Sequence, residues 1–398
     1  MDQQATGAKH GPSIETFSAG LLAAFVGFAS SFAVIIQGLT AVGASQIEAA
    51  SGLMALSIAM GVCGIVLSLK KRQPISIAWS TPGAALLAST AAPAGGFASA
   101  VGAFLVSSLL IVIAGLWKPL GRAVAAIPAP LANAMLAGVL LTLCFAPAKA
   151  VATEPHYYGL AIVVTWALVA KWKRLLAVPA AVIVTVGIIA VTTDVSHLDI
   201  NALWPQPVFV TPQFDFSAMI GIALPLFIVT MASQNIPGIA VLNVNAYRPD
   251  PGPLFSVTGF FSLLSAPFGG HAVNLAAITA ALCAGTDAHP DPARRYWAAV
   301  ICGAFYVIFG LCAGAATAFI SAAPPILIQA VAGLALLGAL GSSLLGAVTD
   351  AKDREAAIIT FLVTASGLSF FGISGAFWGL LAGGAIYALT HWRRAHRA

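Results

Sequence analysis

Charge is the scarcest commodity in this chain. Of 398 residues, 18 are Lys or Arg and 13 are Asp or Glu, so 8% are charged, against about 25% in soluble domains. That scarcity excludes a water-soluble globule. The remainder is 60% hydrophobic with a mean hydropathy of +0.96, which defines an all-α polytopic membrane protein whose standing partner is the lipid bilayer. Cysteine is also sparse: residues 63, 144, 283, 302 and 312 are scattered through apolar runs. Without metal-type spacing they imply neither a disulfide framework nor a metal site. No Ser/His/Asp arrangement, nucleotide-binding loop or large soluble domain is visible. The expectation is therefore no enzyme, no cofactor and no ATP-driven pump. The net charge of +5 sits in short loops, where it reads as topology and not as nucleic-acid binding. No cleavable signal is expected, because Met1–Pro12 is polar and the run from Phe17 to Ile36 is long enough to span and stay.

Apolar runs predict fourteen crossings: 17–38, 47–69, 75–91, 96–116, 128–146, 157–170 and 174–192, then 216–242, 253–267, 270–285, 296–320, 324–347, 355–372 and 374–391. A polar stretch with Asp194, His197, Asp199 and Asn201 separates the two sevens. With both termini in the cytoplasm, 17 of the 18 Lys and Arg fall in inside segments, Lys149 being the exception. That is the positive-inside pattern. It also requires the two poorest runs, 75–91 and 270–285, to cross. The halves resemble each other: Phe17-Ser18-Ala19 matches Phe216-Ser217-Ala218, and Pro130…Gly138 matches Pro325…Gly333. Seven crossings is odd, so the second copy is expected as an inverted repeat.

The two poor runs are the centre of the reading. In the third crossing Ile75–Trp79 alternates and favours an extended segment. Ser80 or Thr81 can then cap a helix, with Pro82 in its first turn. In the tenth, Pro267, Gly269 and Gly270 break the chain, and a helix over Leu275–Ala284 with Asn274 as its cap is expected. Each thus reads as a short strand and a half-helix, the two N-termini pointing at each other near the midplane. Irregular backbone at that depth survives where it lines a cavity. Paired positive dipole ends favour an anion.

Four stretches carry a resemblance: Ile75–Gly83 (ISIAWSTPG), Gly269–Asn274 (GGHAVN), Ala232–Gly238 (ASQNIPG) and Asp287–Tyr296 (DAHPDPARRY). Together they resemble the BenE-type benzoate/proton symporters over essentially the whole chain. The resemblance implies proton-coupled uptake of benzoate or a similar aromatic carboxylate across a bacterial inner membrane. It also implies an architecture similar to uracil and xanthine permeases and sulfate/anion exchangers, with a homodimer as a common assembly. Residues 1–127 and 216–322 would form a substrate-carrying core. Residues 128–192 and 323–398 would form a gate, and 193–215 a periplasmic connection. An anion exchanger or nucleobase-type permease on the same scaffold, or an anion channel, are the alternatives.

Several side chains are candidates on their own chemistry. Gln234 and Asn235 sit in an apolar crossing, where polar groups either glue helices or meet substrate; Gln37 is a similar case in the first crossing. Ser80 and Thr81, with the N–H groups of Gly83 and Ala84, can hold a carboxylate or simply cap. Trp79, Phe28, Phe32 and Phe227 can form an apolar slot for a ring. His271 suits proton exchange at neutral pH, or a structural hydrogen bond to the Gly-Gly turn. Asn274 can be cap and ligand together. Glu48 and Asp215 are the carboxylates nearest to apolar crossings and are the other proton-coupling candidates. No acid falls mid-crossing in segments 8 or 10, which suits an anionic substrate. Asp287, Asp291, Arg294 and Arg295 are expected as a cytoplasmic ion-pair cluster.

Overall fold

The computed structural model describes residues 11–125, 127–154, 156–192, 204–276, 278–322, 324–370 and 373–395. Asp194, His197, Asp199 and Asn201 lie outside the described residues, as do Lys9 and Arg397. The first half contains α1 (Ile14–Ala29), α2 (Phe32–Ala41), α3 (Gln46–Lys71), β1 (Ile77–Trp79), α4 (Thr81–Ala88), α5 (Gly96–Leu116), α6 (Ala129–Cys144), α7 (Tyr158–Lys173) and α8 (Ala177–Thr192). The second contains α9 (Phe216–Val244), α10 (Pro251–Ser265), β2 (Val273–Leu275), α11 (Ile278–Ala284), α12 (Tyr296–Leu311), α13 (Pro325–Val348), α14 (Arg354–Ala365) and α15 (Gly375–Ala395). Shorter helices connect them. Among the described residues, seven helical stretches are long and apolar enough to cross a membrane.

Two long stretches are not uniform rods. The first crossing, expected over 17–38, runs from Ile14 to Ala41 and is interrupted at Ser30-Ser31. Both hydroxyls reach back to the Gly27 carbonyl, at 3.3 and 3.0 Å, the kind of local bond that bends a helix. α9 carries two π-helical turns, Met219–Ala223 and Met231–Asn235. Such turns widen the ladder and free backbone groups, and they recur at functional sites.

The two broken segments meet directly. β1 and β2 pair antiparallel, with Ile77 opposite Leu275, Ala78 opposite Asn274 and Trp79 opposite Val273. Flanking bonds from Ser80 N–H to the Ala272 carbonyl and from Ala276 N–H to the Ser76 carbonyl, both 3.0 Å, extend the ribbon by one residue at each end. The ladder pairs the facing backbone groups, and on the outer side of β2 the Val273 N–H and Leu275 N–H are met by Ser262 Oγ and Asn235 Oδ1, at 2.8 and 2.9 Å. The expected helix over Leu275–Ala284 is corrected here: its first residue, Leu275, is strand, described helix begins at Ile278, and Asn274 pairs with Ala78 in place of capping.

Helices pack in two groups. α3 packs on α12, α5 on α10, and α1 on α12 and α11. Separately, α6 packs on α13 and α14, α7 on α8, and α14 on α15. Between the groups run contacts of α4 with α6 and of α2 with α13. Close approach is made by small residues. At Gly61 a Cβ would lie 2.5 Å from the Gly303 carbonyl oxygen, and Gly303 meets Gly61 at the same distance. This glycine pair lets α3 and α12 touch backbone to backbone.

Candidate functional site

A cavity of about 500 Å³ lies where the two groups face each other. Its first wall is built by the ribbon and its half-helices: Ala78, Trp79, Thr81, Pro82, Ala276, Ile278 and Thr279. Ser30 and Ser31 at the break in the first crossing, Ser233 and Gln234 from the second π turn, and Tyr306 complete that side. α6 and α13 supply the other, with Asn133, Ser342 and Ser343 among apolar neighbours. None of the lining residues is charged. The volume lies in the usual range for small-molecule sites, about 300–1,000 Å³.

Each sequence-derived candidate has a definite place. Trp79 is nearly fully buried, yet it lines the cavity, and its indole N–H donates to Ser31 Oγ at 2.8 Å. That bond ties β1 to the break in the first crossing. Phe28 packs on Trp79 with ring centroids 5.3 Å apart and stacks on Phe32 at 5.6 Å. These two rings back the indole and do not line the cavity. Phe227 does not belong to this slot; it packs with Ile111, Ala114 and Met231.

Ser80 is fully buried and caps α4, accepting from Gly83 N–H at 3.1 Å, and Thr230 Oγ1 donates to it at 2.9 Å. Ala84 N–H goes to the Ser80 carbonyl at 2.8 Å. The expected use of the Gly83 and Ala84 amides for a carboxylate is therefore corrected, because the cap occupies both. Pro82 has no N–H, which leaves Thr81, on the cavity, as the first-turn amide of α4 not so engaged among the described residues. The two half-helix starts stand at opposite ends of the ribbon. Ser80 is four residue steps along the strand from Ser76, so the ends are about 13 Å apart, flanking one cavity and not touching tip to tip.

Gln234 lines the cavity, whereas its neighbour Asn235 is fully buried behind it. Asn235 Oδ1 accepts from the Leu275 N–H at 2.9 Å, fastening the π turn to β2. Asn274 is fully buried too. With its amide nitrogen turned to the facing strand it donates to the Ala78 and Trp79 carbonyls at 2.9 and 3.2 Å. His271 is fully buried beside the Phe104 ring, and its Nε2–H donates to the Ser80 carbonyl at 2.9 Å. That bond fixes the tautomer and leaves Nδ1 as the acceptor, without a partner among the described residues. Gln37, in α2, also lies off the cavity wall, its Oε1 buried without a partner among those residues.

Both carboxylate candidates are helix caps. Glu48 receives the Ser45 backbone N–H at 2.8 Å in a capping box opening α3. Asp215, at the mouth of α9, accepts from the Ser217 hydroxyl and, at 3.2 Å, from Ala218 N–H. The Ser217 hydroxyl foremost, then the Ala218 amide, holds its carboxyl below the usual range. The expected ion-pair role of Arg295 is also corrected: its buried guanidinium bonds the carbonyls of Ala284, His289 and Pro290 at 2.9, 2.7 and 3.3 Å. It thereby closes the C-terminal end of α11. Thr279 and Tyr306 were not singled out from sequence. Thr279 shares a 2.7 Å hydrogen bond with Ser76, and a Cβ on Gly27 would sit 2.1 Å from the Tyr306 hydroxyl.

The fold is shared with solved anion transporters. The transmembrane domain of the cyanobacterial bicarbonate transporter BicA superposes with a TM-score of 0.63 at 15% identity, covering 93% of this chain and 97% of that one. The murine Solute Carrier 26 family member A9 anion transporter, in its inward-facing state, gives 0.61 at 14% identity, covering 96% and 69%. By class, then, this is a membrane transporter and not an enzyme.

The chain belongs to the benzoate membrane transport protein family, whose model matches residues 11–389. It is 42% identical over 376 residues to the inner membrane protein YdcO of Escherichia coli strain K12, covering 94% of this chain and 96% of the relative. It is 31% identical over 371 residues to the benzoate membrane transport protein of Acinetobacter baylyi, covering 93% and 94%.

Proposed function

We propose that the protein takes up benzoate or a similar aromatic carboxylate together with a proton across the inner membrane by alternating access. The observation that carries this reading is an uncharged, polar-edged cavity bounded by both half-helix starts, with Trp79 among its lining residues. The carboxylate is received by the Thr81 amide and hydroxyl and by the Gln234 side chain, and the ring lies against Trp79. A nucleobase would want a carboxylate acceptor in the wall, and the wall has none.

The finer architecture belongs to the same proposal. Fourteen crossings form a seven-plus-seven inverted repeat, both termini cytoplasmic, with 1–127 and 216–322 as the moving core. Residues 128–192 and 323–398 are the gate, joined through 193–215. The two packing groups, the antiparallel ribbon between the third and tenth crossings and the distribution of Lys and Arg support it. For the proton, Glu48 and Asp215 are committed to caps, so His271 Nδ1 is the acceptor beside the cap of α4. Calorimetric titration tests the substrate class. Saturable binding of benzoate and none of benzamide, its uncharged relative, is the expected result; equal binding of both removes the anion site.

A further inference from the structure

We propose that Arg174 guides the anionic substrate into the cavity from its gate side, an inference that rests on the carboxylate reading above. Arg174 belongs to a basic cluster, Lys171, Lys173 and Arg174, at the turn between α7 and α8. A topology anchor would send all three toward lipid headgroups and water. All three are exposed, but they reach different neighbours. Trp172 is 78% exposed, and Lys173 Nζ sits over its ring at 5.7 Å, so that pair faces outward. Arg174 opens a 3₁₀ turn (Arg174–Leu176) and reaches the other way, onto α13.

The contact point is Gly338, a lining residue of the cavity. A Cβ on Gly338 would lie 3.8 Å from a terminal guanidinium nitrogen of Arg174, the one atom within 4 Å among the described residues apart from its own stretch of helix. Gly338 thus lies between the Arg174 guanidinium and the cavity, with no side chain of its own interposed. Among the described residues Arg174 forms no ion pair, and no lining residue carries a charge. Arg174 is exposed and one residue removed from the cavity lining, so its charge acts on small anions approaching the uncharged cleft and raises their local concentration, an effect that falls as salt screens it. Arg174 is a positioning residue acting through its field on entry and release. The carboxylate's final partners remain Thr81 and Gln234.

The test compares uptake kinetics of labelled benzoate in proteoliposomes for wild type, Arg174→Gln, Arg174→Lys and Lys173→Gln, at low and high ionic strength. Arg174→Gln is expected to raise KM about threefold or more at low salt with kcat little changed, and the difference should shrink at high salt. Arg174→Lys should keep most of the wild-type KM, and Lys173→Gln should match wild type. Equal KM for Arg174→Gln and wild type at low salt overturns the proposal. So does an equal loss in Lys173→Gln, which would assign the effect to the whole basic cluster. Wild-type protein that takes up no benzoate overturns the substrate reading and this inference together, whereas intact wild-type uptake with an unaltered Arg174→Gln overturns this inference alone.

Discussion

Asn235 Oδ1 accepts the Leu275 N–H at 2.9 Å, so a side chain in a π turn of α9 closes the backbone of a strand forty residues onward. One position earlier, Gln234 faces the cavity. Adjacent polar residues in one apolar crossing thus have different tasks. Asn235→Leu should strand a buried amide and cost about 1–3 kcal/mol of stability, read as a lower melting temperature in detergent. Gln234→Leu should leave melting unchanged and raise KM for benzoate. Equal effects of both on melting would contradict the split.

Ser80 and Thr81 divide in the same way. Ser80→Ala removes the cap of α4 and should cost about 0.5–2 kcal/mol, chiefly in stability, because its hydroxyl is turned to Gly83 and Thr230. Thr81→Asp places a like charge on the cavity wall and should abolish benzoate binding while the protein still folds. Retained affinity in Thr81→Asp would exclude the carboxylate from that end of α4.

Gly27 and Tyr306 make a steric pair between α1 and α12. Gly27→Ala would drive its methyl to 2.1 Å from the Tyr306 hydroxyl, an overpacking that costs about 1–3 kcal/mol. Adding Tyr306→Phe removes the clashing oxygen and should restore most of the lost stability. Failure of the double variant to recover would place the conflict elsewhere in α1.

Asp215 separates capping from coupling by pH. Its carboxyl is held low in the folded protein, first by the Ser217 hydroxyl and then by the Ala218 amide. The cap is therefore fully present above the ordinary aspartate range and is lost as pH falls through the lowered folded value. Asp215→Ala should lower melting at neutral pH, with the deficit vanishing in acid, and should leave the pH profile of uptake unchanged. Asp215→Asn, itself a good cap, should restore melting. A shifted uptake profile in Asp215→Asn would return this residue to the proton path.

Much of this was legible because its signals are local. Ile75–Trp79 alternates, Ser80 and Pro82 mark a helix start, and strand and half-helix follow in the structure at those places. The tenth crossing was harder. A strand and half-helix are expected there too, but the boundary is misplaced: Leu275 opens an Ala- and Leu-rich run that propensity reads as helix, and its pairing with Ile77 in the other half of the chain overrides that preference. The hydroxyl-bonded break at Ser30-Ser31 leaves no mark in hydropathy. Buried polar residues announce only that each has a partner or a purpose. Which of the two holds for Gln234, Asn235 and His271 depends on contacts from distant segments. Arg295 misled for the same reason: beside Asp291 it looks like half of an ion pair, yet its nearest acceptors are carbonyls at the end of α11.

The most direct test of the central claim is uptake of labelled benzoate by proteoliposomes under an imposed inward proton gradient. The account predicts accumulation above the external concentration, collapse by a protonophore, competition by other aromatic carboxylates and none by uracil. In His271→Gln, binding should persist while gradient-driven accumulation is lost. Uptake that merely equilibrates, or that proceeds at full extent without a proton gradient, would contradict it.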